Sequence, residues 1–164
     1  MNYWFTSDTH FYHWGIIIYC GRPFKSVNEM NEKLIRNWNS VVKEDDVVFH
    51  LGDFGWKLAS KKFLSRLNGD IIKIKGNHDK TSYSPIDSLD MELGGKKLCL
   101  VHDPADSFGY YNVVGHVHND WKSIKIVNAD GSKSLAVNVG VDQWNFTPIS
   151  LKTLLKEFKK LEGE

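Results

Sequence analysis

Two cysteines are all that this chain of 164 residues carries, and Cys20 and Cys99 stand too far apart for a CxxC pair. That leaves no disulfide scaffold to read, although one bridge between the two stays open; reduced thiols in a cytosolic chain are the simpler reading. Net charge is equally scant, with 21 Lys and Arg against 20 Asp and Glu. No global field therefore argues for a nucleic-acid or membrane partner. No apolar run approaches the roughly 20 residues that span a bilayer. The start, MNYWFTSDTH, lacks the basic and then apolar stretch of a signal peptide. Repeats, linkers and low-complexity segments are missing too. What remains is a soluble chain, expected in the cytoplasm, folding as a single domain over residues 1–164 with no room for a cap domain.

Histidine is what the chain spends with purpose. Of seven histidines, five fall inside short motifs: Asp8-x-His10, Gly52-Asp53, Gly76-Asn77-His78-Asp79, a lone His102 and Gly115-His116-x-His118. Imidazoles, carboxylates and one amide carbonyl are the donors that a pair of divalent transition metals takes. Each motif alone is weak or moderate; an Asp-Thr pair can cap a turn, and an Asn-containing turn would account for Gly76-Asn77.

Their placement adds weight. Tyr3–Thr6, Asp46–Leu51, Asp70–Lys75, Lys97–Val101 and Asn112–Val114 read as strands, each ending just before a motif. Gathering ligands at strand C-termini is how an α/β sheet builds one site from distant sequence. Ser26-x-x-Glu29 is a capping box that opens a helix over Val27–Val42, with Val27, Met30, Leu34, Trp38 and Val41 on one face. Lys57–Leu67, with Leu58, Phe63, Leu64 and Leu67 inward, is a weaker helix, and Leu151–Leu161 is a third. Asp90–Leu93 with Lys97–Val101 across Gly94-Gly95, and Ile124–Val127 with Ser134–Val139 across Ala129–Ser132, read as hairpins. Strand–helix units come first and antiparallel hairpins later. Two packed mixed sheets with helices outside fit this order better than one doubly wound sheet.

Two cations close together need a shared carboxylate, and Asp53 is the candidate, since Gly52 permits a tight turn before it. Asp8 and His10, two residues apart on extended chain, would face the same way, as would His116 and His118. Asn77 offers a carbonyl oxygen without charge. His78, beside a ligand yet spare, suits a general acid, with Asp79 orienting its other ring nitrogen. His50 reads as packed or supporting; His13 is open between site and loop.

At these residues the chain resembles the calcineurin-like metallophosphoesterase superfamily, whose pattern of D-x-H, GD, GNH[DE], a lone H and GHxH appears here in order. A small single-domain bacterial and phage branch is suggested by SDTHFYHWGII, GRPF, MNEKLIRNWNSVV, HLGDF and NVGVDQWNFTPISL, so the likeness spans nearly the whole chain. One departure is that Val101, where Gly or Ser is frequent, precedes His102. The resemblance implies an αββα four-layer sandwich of two mixed sheets flanked by helices. It implies two divalent metal ions, manganese foremost, with iron, nickel, zinc, cobalt and magnesium as alternatives. Asp8, His10, Asp53 and His118 would hold one, and Asp53, Asn77, His102 and His116 the other. The implied activity is hydrolysis of a phosphoester by metal-activated hydroxide, with His78 as acid and Asn77 also near substrate.

Phosphodiesters, nucleotides or cyclic nucleotides among them, are expected over monoesters, because an uncapped site lacks extra cations for a dianion. Arg22 is a candidate phosphate clamp, with a surface arginine as the plain alternative. Phe11, Tyr12, Trp14, Tyr110, Tyr111 and Trp121 could stack a base or simply form core and rim. Monoesterase activity, or a non-catalytic metal-binding scaffold of the same fold, stands as the alternative function. Oligomeric state is left open.

Overall fold

The computed structural model describes residues 1–56, 59–80, 84–127 and 130–163, and for residues 59–61 the backbone alone. In chain order the elements are β1 (Tyr3–Thr6), α1 (Gly15–Tyr19), α2 (Val27–Val41), β2 (Val47–Leu51), α3 (Ala59–Leu64), β3 (Asp70–Ile74), β4 (Ser88–Leu93), β5 (Lys96–Val101), β6 (Tyr111–Val114), β7 (Ser123–Val127), β8 (Lys133–Asn138), β9 (Ile149–Ser150) and α4 (Leu151–Glu162). The strands form two mixed sheets, ordered β3-β2-β1-β9 and β4-β5-β6-β8-β7. In the first, β1, β2 and β3 run parallel and β9 closes the edge antiparallel. In the second, β5, β6 and β8 run parallel, with β4 and β7 paired antiparallel at the edges.

Period-two alternation sorts the strands' side chains into layers. Phe5, Phe49, Leu51 and Ile74 of the first sheet meet Leu98, Leu100, Val113, Leu135 and Val137 of the second. On the first sheet's other face, Trp4 and Val48 pack under Ile16, Met30, Leu34, Trp38 and Phe63 from the three early helices. The result is the α/β sandwich of two mixed sheets and flanking helices that the sequence implies. α4 turns Leu154 and Phe158 into the core between the sheets. The second sheet's far face holds Cys99, Val101, Val114 and Ala136, covered by Trp121, Ile124 and Ile126.

Local signals explain the element ends. Ser26 Oγ accepts from Glu29 N (3.2 Å) and the Glu29 carboxylate takes the N–H of Lys25 (2.7 Å), so the predicted box opens α2. The hairpins form at Gly94-Gly95 and between β7 and β8. Lys57 and Leu58 of the expected second helix, and Ala129 of the second turn, lie outside the described residues. α3 ends at Leu64 rather than Leu67. α1 is a further helix that the apolar pattern did not single out. Both cysteines are buried and free. No helix among the described residues is long and apolar enough to cross a membrane.

Candidate metal centre

β1, β2, β3, β5 and β6 each run out at the same end of the sandwich, and each delivers one motif there. The two sheets meet at this end through a parallel bridge between Ser7 and Gly140. Glycine makes the approach possible. Gly52 has φ +91°, and a Cβ on it would fall inside contact distance of the His102 ring. A Cβ on Gly115 would overlap Ser7 Oγ and lie 2.7 Å from Asp8 Oδ2.

One expectation fails in its geometry. Asp8 and His10, like His116 and His118, were expected to share a side because alternate residues of extended chain do. Instead all four have positive φ, at 57°, 49°, 69° and 42°, and Asp53 has 56°. Left-handed backbone at non-glycine residues costs of order 1–3 kcal/mol each and persists only where the surroundings impose it. The donors converge through a run of left-handed corners.

Each buried carboxylate divides its oxygens. Asp8 Oδ2 accepts from His116 N (3.0 Å) and Asp53 Oδ1 from His78 N (2.9 Å). Asp8 Oδ1 and His10 Nε2 are buried with no hydrogen-bond partner among the described residues. Asp53 Oδ2 stands 3.5 Å from both His10 Nε2 and His102 Nε2. Asn77 Oδ1 lies 3.0 Å from His102 Nε2 and 3.2 Å from His116 Nδ1. Donors bound to one ion at about 2.0–2.2 Å lie roughly 3–3.5 Å from one another, so this set fits divalent cations. Orphaned buried donors aimed at one point are what an unsatisfied structure would avoid. Asp8, His10 and His118 form one such cluster; Asp8, Asp53 and His102 form another.

Outer partners fix the rings, as ligating histidines require. His102 Nδ1 is 2.7 Å from Leu51 O, His118 Nδ1 is 3.1 Å from Asp142 Oδ2, and His10 Nδ1 is 3.2 Å from His13 Nδ1. His116 Nε2 lies 3.7 Å from Asp103 Oδ2, so the residue after the lone histidine backs a neighbouring ring. Electrostatics follow burial and these partners. Burial raises the Asp8 carboxyl and pushes His10 down to about 2. At Asp53 burial opposes, yet His102 and His10 hold the carboxyl well below its usual range. Against the pull of burial, Asp53 and Asp8 raise His102 to about 9, and Asp142 with Cys20 and Asp8 raises His118 to about 10.

Two expected roles are corrected. Asp79 does not orient His78; its carboxylate accepts from Asp53 N (2.8 Å), Gly76 N (3.0 Å) and Phe54 N (3.2 Å), clamping two motif loops together. Arg22 is no phosphate clamp. It is buried, and its five N–H groups go to Asp142, Asp8 O, Thr9 O and Met30 Sδ. His78 stays exposed at the mouth, its ring 5.6 Å from that of His10. His50 is fully buried, with Nε2 2.9 Å from Thr9 Oγ1. Asp142 lies outside the five motifs; it follows β8 as they follow their strands, and that regularity is the signal the sequence offers.

The cleft over these donors has a volume of about 570 Å³ and is walled by Ile16, Tyr19 and Val117 as well as by the histidines. Of the expected aromatics, Phe11 is buried in core, while Tyr12 and Trp14 are exposed near this end. A hollow of about 670 Å³ between Lys96–Cys99 and Phe108–Tyr111 contains none of the motif residues.

An α/β sandwich with nitrogen and oxygen donors gathered at parallel strand ends is a scaffold for catalytic or structural divalent cations. The chain belongs to the calcineurin-like phosphoesterase superfamily, whose domain model matches residues 1–148. It is 39% identical over 163 residues to the uncharacterized protein MJ1445 of Methanocaldococcus jannaschii, covering 94% of this chain and 89% of that one. Its structure is similar to that of AQ665 from Aquifex aeolicus, a protein of unknown function, with TM-score 0.70 and 28% identity over 94% of this chain and 98% of that one. A looser likeness runs to Vps29 of Entamoeba histolytica, with TM-score 0.45 and 16% identity over 83% of this chain and 73% of that one.

Proposed function

We propose that this protein hydrolyses phosphodiesters with two divalent cations, manganese first among them. The observation that carries the reading is Asp53 Oδ2, equidistant at 3.5 Å from His10 Nε2 and His102 Nε2, beside the orphaned Asp8 Oδ1. Asp8, His10, Asp53 and His118 would hold one cation, and Asp53, Asn77, His102 and His116 the other. Bound cations supply polarisation of the phosphoryl oxygens and activation of water near neutral pH. The chain's own groups do the rest. Asn77 and His116 line the open side of the cleft, where a phosphoryl group meets the donors. His78, exposed at the mouth, delivers a proton to the leaving oxygen. Its backbone is pinned by the hydrogen bond to Asp53, so the ring's origin is fixed to the bridging carboxylate.

Charge favours the diester. Among the described residues, those that line the cleft include no lysine or arginine, and Arg22 is committed elsewhere. A monoanionic diester asks less of such a site than a dianionic monoester does. The apolar wall of Ile16, Tyr19 and Val117 suits an ester that carries a planar organic group, as a nucleotide does.

Metal content of the purified protein, with hydrolysis of bis- and mono-(p-nitrophenyl) phosphate under added manganese, tests this. The reading expects about two equivalents and faster turnover of the diester. Two equivalents with no hydrolysis of any phosphoester would make the chain a scaffold; faster monoester turnover would make it a phosphatase. Failure to bind any divalent cation would end the proposal.

A further inference from the structure

Arg22 and Asp142 lie 120 residues apart in sequence, and the fold joins them in a bidentate pair. Arg22 Nε donates to Asp142 Oδ1 at 2.8 Å and Nη2 to Oδ2 at 2.9 Å, with the Asp142 side chain only 4% exposed. The second Nη2 hydrogen goes to Asp8 O (2.7 Å); Nη1 serves Thr9 O (3.2 Å) and Met30 Sδ (3.4 Å). A guanidinium has five N–H groups, and all five are used. Its planar fork fixes both the position and the plane of the carboxylate.

That carboxylate also reaches the His118 ring, through Oδ2 at 3.1 Å from Nδ1, with the Cys20 thiol alongside. A carboxylate can only accept, so it requires a proton on Nδ1 and leaves Nε2 as the nitrogen available to Asp8 and His10. The same guanidinium holds the carbonyls of Asp8 and Thr9, on a stretch where Asp8 and His10 both have left-handed backbone. One buried cation thus ties the Asp8-x-His10 corner to the Gly115-His116-x-His118 corner.

The geometry points to Arg22 and Asp142 as a positioning pair that selects the tautomer of His118 and sets the Asp8 corner, so that one of the two cation positions is built before the ion arrives. This rests on the two-cation reading above. The other position is tied differently, through Asp79, which joins the Asp53 and Asn77 loops by their backbone N–H groups. His116 is backed by Asp103 at 3.7 Å, with both side chains more than a third exposed.

Asp142→Asn tests the pair while keeping its shape. Oδ2 serves both Arg22 and His118, so whichever way the amide turns, its NH₂ opposes one of Arg22's donors and the fork is broken. An amide oxygen at that place is a weaker acceptor for the His118 Nδ1–H than a carboxylate, and an NH₂ there calls for the tautomer protonated on Nε2, which blocks a cation. Calorimetric titration with manganese and with zinc should show one of two sites weakened roughly 10–100-fold and the other unchanged, the size seen when an outer partner of a metal ligand is lost. Arg22→Lys, which keeps the charge and loses the fork, should weaken the same site. Nitrogen-15 NMR of histidines in the zinc-loaded wild type needs no variant. It should show His118 bound through Nε2 with a proton on Nδ1. Binding through Nδ1, or two unchanged affinities in Asp142→Asn, overturns the positioning role and leaves the two-cation reading standing. A wild type that binds no cation removes both.

Discussion

Asp8 and His10 occupy a half of the cleft closed to water, at 0% and 2% exposed, whereas Asn77 and His78 face solvent and His116 is about 38% exposed in its side chain. Water can satisfy Asn77, His78 and His116, and is held off Asp8 and His10. A buried carboxylate with an unpartnered oxygen is costly, which is why burial pushes Asp8 toward its neutral form. Arg22, Asp142 and the left-handed corners hold it in place regardless. Asp8 and His10 are held in place yet poorly satisfied, while Asn77, His78 and His116 stand where a substrate would enter on the proposed reading. On the two-cation reading proposed above, this is the contrast between a seat for a resident cation and a face for exchange and chemistry.

Changing the residue common to both halves should do the most damage. Asp53→Asn keeps the shape of the bridge and removes its charge, so hydrolysis should vanish and metal content fall from about two equivalents to one or none, read by elemental analysis beside a diester assay. His78→Gln touches the open mouth alone. It should retain both cations and lose about 10²–10⁴ in turnover of an ester with a poor leaving group. Full activity of His78→Gln on such an ester would remove His78 as the acid.

A second pair separates the halves through stability. Asp8→Asn removes a buried charge that the fold tolerates badly, so the metal-free protein should melt higher than wild type. Its gain on adding manganese should shrink. Asn77→Ala, at an exposed position, should leave the metal-free melting temperature alone and lower metal content by about one equivalent. In wild type, a cation at 100 times its dissociation constant adds about 2.7 kcal/mol, or roughly 5–10 °C for a chain of this size. Equal behaviour of the two variants would erase the distinction between the halves.

Much of this was legible because each motif is announced locally. An apolar run such as Val47–Leu51 that stops at Gly52-Asp53 declares both the strand and the corner, and Ser26-x-x-Glu29 declares where α2 starts. Long-range commitments leave no such trace. Arg22 in GRPF looks like a polar turn residue until Asp142 arrives from the far end of the chain. Asp79 looks like a partner for the histidine beside it, yet the backbone N–H groups that occupy it belong to residues 53, 54 and 76. The left-handed φ at Asp8 and His10 is likewise invisible, because side-chain type at a non-glycine position says little about a conformation that tertiary contacts impose. α1 escaped notice because five residues give little more than one turn of periodicity.

The smallest effect lies behind the closed half, at His50. Thr9 donates its hydroxyl hydrogen to Phe54 O (2.8 Å), so the 2.9 Å contact with His50 Nε2 has the imidazole donating to Thr9 Oγ1. Nδ1 is left with a buried lone pair and no partner among the described residues. Burial lowers this ring to about 3, from an ordinary value of 6.5. Between those values the unfolded chain binds a proton that the folded chain refuses. Stability is therefore complete above about pH 6.5 and falls as pH drops, by about 1.4 kcal/mol per unit for this one group. His50→Gln keeps a donor for Thr9 and does not titrate. Urea midpoints measured in chelator between pH 7 and pH 5 should decline less steeply for this variant by that one-proton slope, while the His10 contribution of the same sign persists. Parallel slopes would mean that His50 takes up its proton in the folded state, and that the wall behind the closed half admits charge as readily as the open half does.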